Sequence, residues 1–574
     1  MRRNSRFDLI DSPRVSVDMP KASKKLSTKA SAVAPDGLLK TARLYHRSGR
    51  RSEAIVLLQQ AWSQGQTKRR LARDIALEMA ACGTPVEAFG MLSAYLSRFD
   101  PGAEILAAAA EAARKLGQTL VAEQHLQKAV ELKPREPRYA LALADLYDDV
   151  NRQDACEAVL MSALQRLPKE PQLWNRLGIF QRDRKGAPGD ARHSFEQAVQ
   201  LDPNTAAYAN NLGMVQPDAP RRVQWLEKAL ALEPDFPLAH VGLALAYLQT
   251  GRLADAWPHY DHRLDLRLGS ERAARYTHGL PIWQGEPLNG RRILLVAEQG
   301  IGDEILCASA FWWLQSQGAA LSIGCDPRLC TIYQRSFPEA TVGAFVDRQD
   351  DGHRVRSFPD LEGAGAPACD FALPIGSLLQ HIWPSLDALH PTRRAYLRAD
   401  PALVEQFAGR LSGESSRLKI GLSWRSGRLI EGRWLGYFGA KWAGRLMRDL
   451  PADFICLQYS YETSEIETIN QEAGDRLIVM DDVDLKDDIE ANLAIMQTLD
   501  FVIGPTTATQ MFALALAKPV YLLSRGYPWW YFGQTHDPVS LAFPHCRNFV
   551  AKGGDWGEAV KDLRAFLTAK LKQQ

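Results

Sequence analysis

Trp174-Asn-Arg-Leu177-Gly178, then Gly186, then Ala198-Val-Gln-Leu-Asp-Pro203 mark one unit of a repeat, and the N-terminal half reads outward from it. Gly49, Gly83, Gly117 and Asn151 precede Gly186 at intervals of 34 or 35 residues. These residue types tolerate a left-handed backbone. A second ladder, Ala129, Ala163, Ala198 and Ala229, stands five residues before Pro134, Pro168, Pro203 and Pro234. Apolar residues at i, i+3 and i+4, as in Leu126, Ala129, Val130 and in Leu226, Ala229, Leu230, give a helix one buried face. A period near 34 with a mid-repeat turn and a closing proline predicts stacked helix–turn–helix units.

Units of this kind are tetratricopeptide repeats, and about seven of them fit residues 37–270. In the sixth, Gln216-Pro217-Asp218-Ala219-Pro220 replaces the usual turn and reads as a deletion. Stacked repeats form an extended concave groove, so the array is expected to bind a protein. The nucleocytoplasmic O-GlcNAc transferases also join such repeats to a transferase, and there asparagines line the groove and grip peptide backbone. Here Asn211 alone falls on an equivalent position; Arg176, Ala142 and Gly242 hold others. The expected partner is therefore a particular folded or helical protein, met by Arg176 and Asn211 among others.

With 574 residues the chain should hold several domains. Lysine and arginine (69) balance aspartate and glutamate (67), so no basic field points to nucleic acid. The eight cysteines are scattered without zinc-ribbon spacing, which suits a reducing compartment and a cytoplasmic location. No apolar run is long enough to span a bilayer. Residues 1–36 read as a disordered basic arm: they are rich in Lys, Arg and Ser, but acids and prolines interrupt them and no signal-type apolar stretch follows.

Composition changes after residue 280. Pro281–Gly290 is a proline- and glycine-rich lead into Arg292-Ile-Leu-Leu-Val-Ala297, a buried parallel strand. The loop Glu298-Gln-Gly300-Ile-Gly302-Asp303 follows, then a helix from Glu304 to about Gln317 and a strand at Ala320–Gly324. The same grammar returns in Leu418–Ser423 with the loop Trp424-Arg425-Ser426-Gly427, in Phe454–Gln458, in Phe501–Ile503 with Gly504-Pro505-Thr506-Thr507, and in Lys518–Leu523. The spacing predicts two Rossmann-like α/β domains, 281–400 and 417–555, and a final helix over 556–574 leaning back on the first of them. Gly300-x-Gly302 lacks the third glycine and the acid about 20 positions on that a dinucleotide site needs.

Trp257, Tyr260 and Arg263, the Pro281–Gly290 segment, Ile293–Asp303, Tyr396–Asp400, Gly421–Trp424, Leu457-Gln458, Leu499–Ile503 and Ala515–Val520 occur in the order seen in bacterial proteins that fuse tetratricopeptide repeats to a GT-B glycosyltransferase module. That module resembles the heptosyltransferase family. Trp424–Gly427 and Pro505–Thr507 resemble the flagellin glycosyltransferase subgroup, whose repeats are thought to hold flagellin. The resemblance implies an O-glycosyltransferase acting on Ser or Thr of a protein such as flagellin. Its donor would be a nucleotide sugar, with no other cofactor.

Glycosyl transfer needs a base for the attacking hydroxyl and stabilisation of the departing phosphate. By resemblance Asp303 sits where the heptosyltransferase base sits; the alternative is an N-cap for its helix. Gly504, Thr506 and Thr507 present a helix start suited to a phosphate, and Trp424, Arg425 and Ser426 flank it. Arg425 offers a bidentate guanidinium, or else a surface ion pair. Gln458 would read the base or ribose. GT-B enzymes generally need no metal, and Asp481-Asp482-Val-Asp484 only mimics a metal motif. Many relatives carry Asp at Thr506 and His at Met511. Their loss suits an acidic sugar, such as a CMP-linked nonulosonic (pseudaminic) acid, which an aspartate would repel. Two rival readings are an inactive adaptor and a transferase acting on a surface saccharide.

Overall fold

The computed structural model describes residues 34–298, 300–412, 417–427, 436–533 and 537–572. Most of the expected basic arm, with Gln299 of the glycine loop, lies outside the described residues. The N-terminal half is a helical tetratricopeptide solenoid: fourteen helices in seven pairs, from Pro35–Arg47 to Leu253–Tyr260. The chain separates into two compact units, residues 1–146 and 147–574.

In the first unit small residues let helices approach closely. Ala42, Ala54, Ala61, Ala72, Ala76 and Ala109 are fully buried beside Leu58, Ile75, Met79 and Leu92. Not every expected turn is left-handed. Gly49 and Gly117 have φ of 77° and 72°, whereas Gly83 has φ −79°. There the helix Pro85–Leu96 starts instead with a capping box: Thr84 Oγ1 accepts from Glu87 N–H, and Glu87 accepts from Thr84 N–H.

The second unit begins with the remaining repeats. Asn151, Gly186 and Gly251 all take positive φ at their turns. The shortened sixth repeat is confirmed in its helix, Ala206–Met214, and the next helix is capped by Asp218, which accepts from Arg221 N–H. Trp174 and Gly178 stand on Pro171–Asp183, where a Cβ on Gly178 would lie 2.6 Å from a ring carbon of buried Phe195.

Two parallel sheets follow. The first runs Thr341–Ala344, Ala320–Cys325, Arg292–Val296, Phe371–Pro374. The second runs Leu477–Ile478, Ala452–Cys456, Leu418–Leu422, Phe501–Gly504, Val520–Ser524, Cys546–Val550. Each sheet starts in its middle and reverses direction of growth, the strand order of doubly wound folds. A three-stranded sheet of Ala274–Tyr276, Val346–Asp350 and His353–Ser357 accompanies them.

Three expectations need correction. The helix expected from Glu304 is two helices, Ile301–Ala308 and Phe311–Ser316, parted at Ser309-Ala310. The final helix, Trp556–Leu571, leans on the second sheet and not the first: Ala559, Val560, Leu563 and Leu567 share a core with Ile420, Phe454 and Leu523. Arg564 fixes it there by donating to the carbonyls of Arg445 and Leu446. The expected boundary at 270–281 is not a break in packing. Leu253, Ala256, Trp257 and Tyr260 of the last repeat share one core with Ile293, Leu295 and Phe371, and Trp257 Nε1 donates to Trp383 O at 2.8 Å.

Gly178→Val should overpack the Phe195 contact and cost about 1–3 kcal/mol. Hydrogen exchange over Pro171–Asp183 and Pro188–Leu201 should accelerate accordingly. Unchanged protection would show that Phe195 can move aside freely.

Candidate active-site cleft

Ligands in open α/β sheets bind at the carboxyl ends of strands where the order reverses. In the first sheet that point lies between Arg292–Val296 and Phe371–Pro374, and in the second between Leu418–Leu422 and Phe501–Gly504. The loops leaving these strands line one cleft of about 710 Å³. Gly300, Gly302 and Asp303 come from the first sheet; Ser426, Thr506 and Thr507 come from the second.

The glycine loop is fixed from behind. Glu298, 5% exposed, takes a hydrogen bond from Gly376 N–H at 2.5 Å and an ion pair from Arg263 Nη2 at 2.7 Å. Arg263, equally buried, also donates to Ser377 Oγ at 2.9 Å and to Asp261 at 2.6 Å, and its guanidinium lies over the Tyr260 ring. Burial opposes the charge on Arg263, but Glu298, Tyr260 and Asp261 together more than offset it, so its pKa rises. Buried Arg356 donates to Ala297 O, one residue before Glu298, while its other nitrogens grip Asp347.

Asp303 does not cap its helix. Gly300 is the N-cap, and Asp303 lies in the first turn, exposed to the cleft, with its N–H donated to Gly300 O. The next residue behaves oppositely. Glu304 is 2% exposed, and burial with the nearby Asp326 charge pushes its carboxyl up to about 8. It therefore stays neutral at pH 7, and Asp303 is the one carboxylate among the described lining residues.

Helix Ala508–Ala515 starts opposite. A Cβ on Gly302 would stand 3.2 Å from Ala508 Cα, so glycine lets the two helix starts meet. Thr507 Oγ1 donates to Gln510 Oε1 at 2.6 Å, and Gln510 Nε2 donates to Ser423 Oγ at 2.9 Å, which ties the helix start to its sheet. The first N–H groups of both helices lack intrahelical acceptors and carry the positive end of the helix dipole.

Four expected donor contacts instead build the wall behind the cleft. Trp424 is fully buried and donates Nε1 to Glu465 at 2.9 Å. Arg425 gives Nε to Glu465 at 2.8 Å and Nη2 to its other oxygen, so its guanidinium is occupied by a partly buried ion pair. Gln458 is fully buried; its Oε1 accepts from Trp424 and Arg425 N–H and its Nε2 donates to Ser460 O. Gly504 is packed against Gln510 and Ser423.

The residues missed by sequence reasoning are Tyr459, Arg525, Tyr527 and Gln249. The Tyr459 hydroxyl accepts from Gly427 N–H at 2.7 Å and meets Ser426 Oγ at 3.2 Å. Arg525 is the one cation among the described lining residues; it is exposed. Trp529 and Trp530 also line the cleft, whereas Tyr531 and Phe532 are core. Gln249 comes from the last repeat, whose turn touches the second sheet's loop: a Cβ on Gly533 would stand 2.6 Å from Gly251 N.

On the repeats, Arg176 and Arg184 both pair with Asp148, at 2.9 and 2.6 Å, and Asn211 Nδ2 donates to Asn175 Oδ1 at 2.8 Å. The Asp481–Asp484 motif is dispersed: Asp481 accepts from Tyr461, Asp482 pairs with Arg410, and Asp484 accepts from the N–H groups of Lys486 and Asp487. Among the described residues one acid–imidazole group is tight enough for an ion, Asp235, His262 and Asp265, and Arg267 already bridges its two carboxylates. No described helix is long and apolar enough to cross a membrane.

Family models agree with the repeat architecture. Models of the tetratricopeptide repeat match residues 103–136 and 224–262. Protein FlbA of Caulobacter vibrioides is 27% identical over 452 residues, 76% of this chain and 74% of FlbA. Human protein O-mannosyl-transferase TMTC1 is 26% identical over 199 residues, 33% of this chain and 22% of that protein. The chain thus spans about a fifth of TMTC1's length. A solved tetratricopeptide repeat protein from Parabacteroides merdae aligns with a TM-score of 0.33 and 14% identity, covering 40% of this chain and 91% of that one.

Glu304 supplies a pH test. Its carboxyl ionises near 4.5 when unfolded and at about 8 when folded. The unfolded chain therefore loses its proton first, and this group makes stability fall as pH rises from about 4.5 to about 8. The apparent melting temperature of Glu304→Gln should fall less between pH 5 and 8 than that of the unmodified protein. Parallel pH profiles would show that Glu304 is ionised in the fold.

Proposed function

We propose that the chain is a GT-B glycosyltransferase that moves a sugar from a nucleotide-linked donor to a hydroxyl of a protein held by its repeats. The observation that carries this reading is the convergence of one exposed carboxylate, Asp303, and two helix starts on a single cleft whose wall includes Gln249 of the last repeat. The sugar O-transferase name of TMTC1, matched over a third of the chain, supports the reaction class.

In this reading the acceptor oxygen attacks the anomeric carbon while Asp303 takes its proton. The bond from that carbon to the phosphate oxygen breaks, and its electron pair leaves with the phosphate. The N–H groups at Ala508 and Thr509 and the Arg525 guanidinium neutralise it. Arg525 takes the part that Arg425, held by Glu465, cannot. Thr506 and Met511 bring no charge to the cleft, which suits an acidic, CMP-linked sugar such as a nonulosonic acid. The acceptor we favour is Ser or Thr of flagellin, in the cytoplasm.

Asp303→Asn should leave the fold intact and lower turnover by about 10²–10⁴-fold, the span of general-base catalysis. Intact mass spectrometry of flagellin from cells carrying either form reads the outcome. Full modification by a folded Asp303→Asn protein would remove Asp303 from the chemistry. Unmodified acceptors with the unaltered protein would favour an adaptor.

Turnover should also survive EDTA, because helix starts and Arg525 do the work a metal would do. Loss of activity with EDTA and its return with Mn²⁺ would overturn that assignment.

A further inference from the structure

A second cavity, of about 440 Å³, adjoins the cleft and shares Ile301, Tyr459 and Ala508 with it. Its inner wall is apolar, with Leu485, Ile489 and Phe512, all under a tenth exposed. Arg328, Ser460, Lys486 and Thr509 also line the cavity, and Asn492 stands beside its apolar wall. Asn492 is 2% exposed, and its Nδ2 donates to Leu485 O at 2.7 Å. That bond fixes the carboxamide's orientation, because a backbone carbonyl can face only the NH₂ end. Oδ1 is thereby left as the other end, and it has no hydrogen-bond partner among the described residues.

A buried acceptor without a donor costs free energy, so it points to a ligand that supplies one. The ligand must have apolar faces, an N–H on its edge, and a size suited to this volume. It must also continue past Ala508, where the helix start favours a phosphate. A nucleobase meets each condition: cytosine and adenine carry an exocyclic amine, and guanine and uracil carry a ring N–H. We infer that this cavity is the nucleobase subsite of the donor and that Asn492 Oδ1 accepts an N–H from the base. This rests on the nucleotide-sugar reading above and adds to it the residue that senses the base, in place of Gln458, whose oxygen already accepts two backbone N–H groups and whose Nε2 donates to Ser460 O.

The test is calorimetric binding of CMP, UMP, AMP, GMP and ribose 5-phosphate to the full chain and to two variants. At least one nucleotide should bind the unmodified protein more tightly than ribose 5-phosphate. Asn492→Leu should weaken that nucleotide by about 5- to 100-fold, the range for a lost hydrogen bond to a buried acceptor, and leave ribose 5-phosphate unchanged. Asn492→Asp keeps the acceptor oxygen and should retain most of the nucleotide's advantage. A purely structural Asn492, acting only through Leu485, would make both variants lose affinity equally and for ribose 5-phosphate too; that result overturns the proposal. Undiminished nucleotide binding by Asn492→Leu overturns the base subsite but leaves the donor reading intact. Failure of the unmodified protein to bind any of the four overturns both.

Discussion

The buried ion pair between Arg263 and Glu298 is the constraint on which the cleft depends. One partner follows the last repeat; the other stands at the root of the glycine loop that carries Asp303. Taking two charges out of water is costly, and the cost is offset only when each finds several good partners. Here Asp261 and Ser377 accept from Arg263, and Gly376 N–H joins Arg263 on Glu298 Oε1, while Arg263 Nε and Glu298 Oε2 have no hydrogen-bond partner among the described residues. Removing either partner would strand the other, a loss of about 3–5 kcal/mol in comparable buried pairs. The end of the repeat array and the loop of the first sheet are therefore one mechanical piece, and the shared core of Trp257, Tyr260, Ile293 and Leu295 says the same in apolar terms.

Around that piece the charges are sorted by burial. Glu304 and Asp303 are neighbours in sequence but face opposite ways, and the inward one is neutral. Arg425 and Arg525 are likewise both candidates for an anion, but among the described residues only the first is engaged by an acid, Glu465, 40 residues away in sequence. Solvent exposure leaves Arg525 free to choose a partner from outside.

The repeats were legible because a helical hairpin needs small residues where helices cross and permissive ones where the chain turns, and both recur at fixed spacing. The main strands were legible as short apolar runs ahead of glycine loops. Other features had no local sign. Ser309-Ala310 carries neither proline nor glycine, so the helix break there was hidden. Strands as short as Leu477–Ile478 fall below any pattern. The amphipathic face of Trp556–Leu571 announces burial but not which sheet provides it. For the site, a motif names residue types and not their partners. Trp424, Arg425 and Gln458 look like ligand contacts until Glu465 and the loop's own backbone are seen to satisfy them.

The meeting of Gly251 and Gly533 has a consequence for how this protein can change over time. Two backbones touch there without side chains between them, and both residues hold positive φ. A methyl group on Gly533 would strike Gly251 N at 2.6 Å, and one on Gly251 would press on Phe532 O at 3.1 Å. Gly533 cannot take a side chain unless the facing turn moves, and the positive φ strains a side chain at either position, so a descendant that abandons Gly533 must adjust the seam between last repeat and second sheet. That seam should be inherited as a block, while the outer repeats, a compact unit with its own core, are at liberty to diversify.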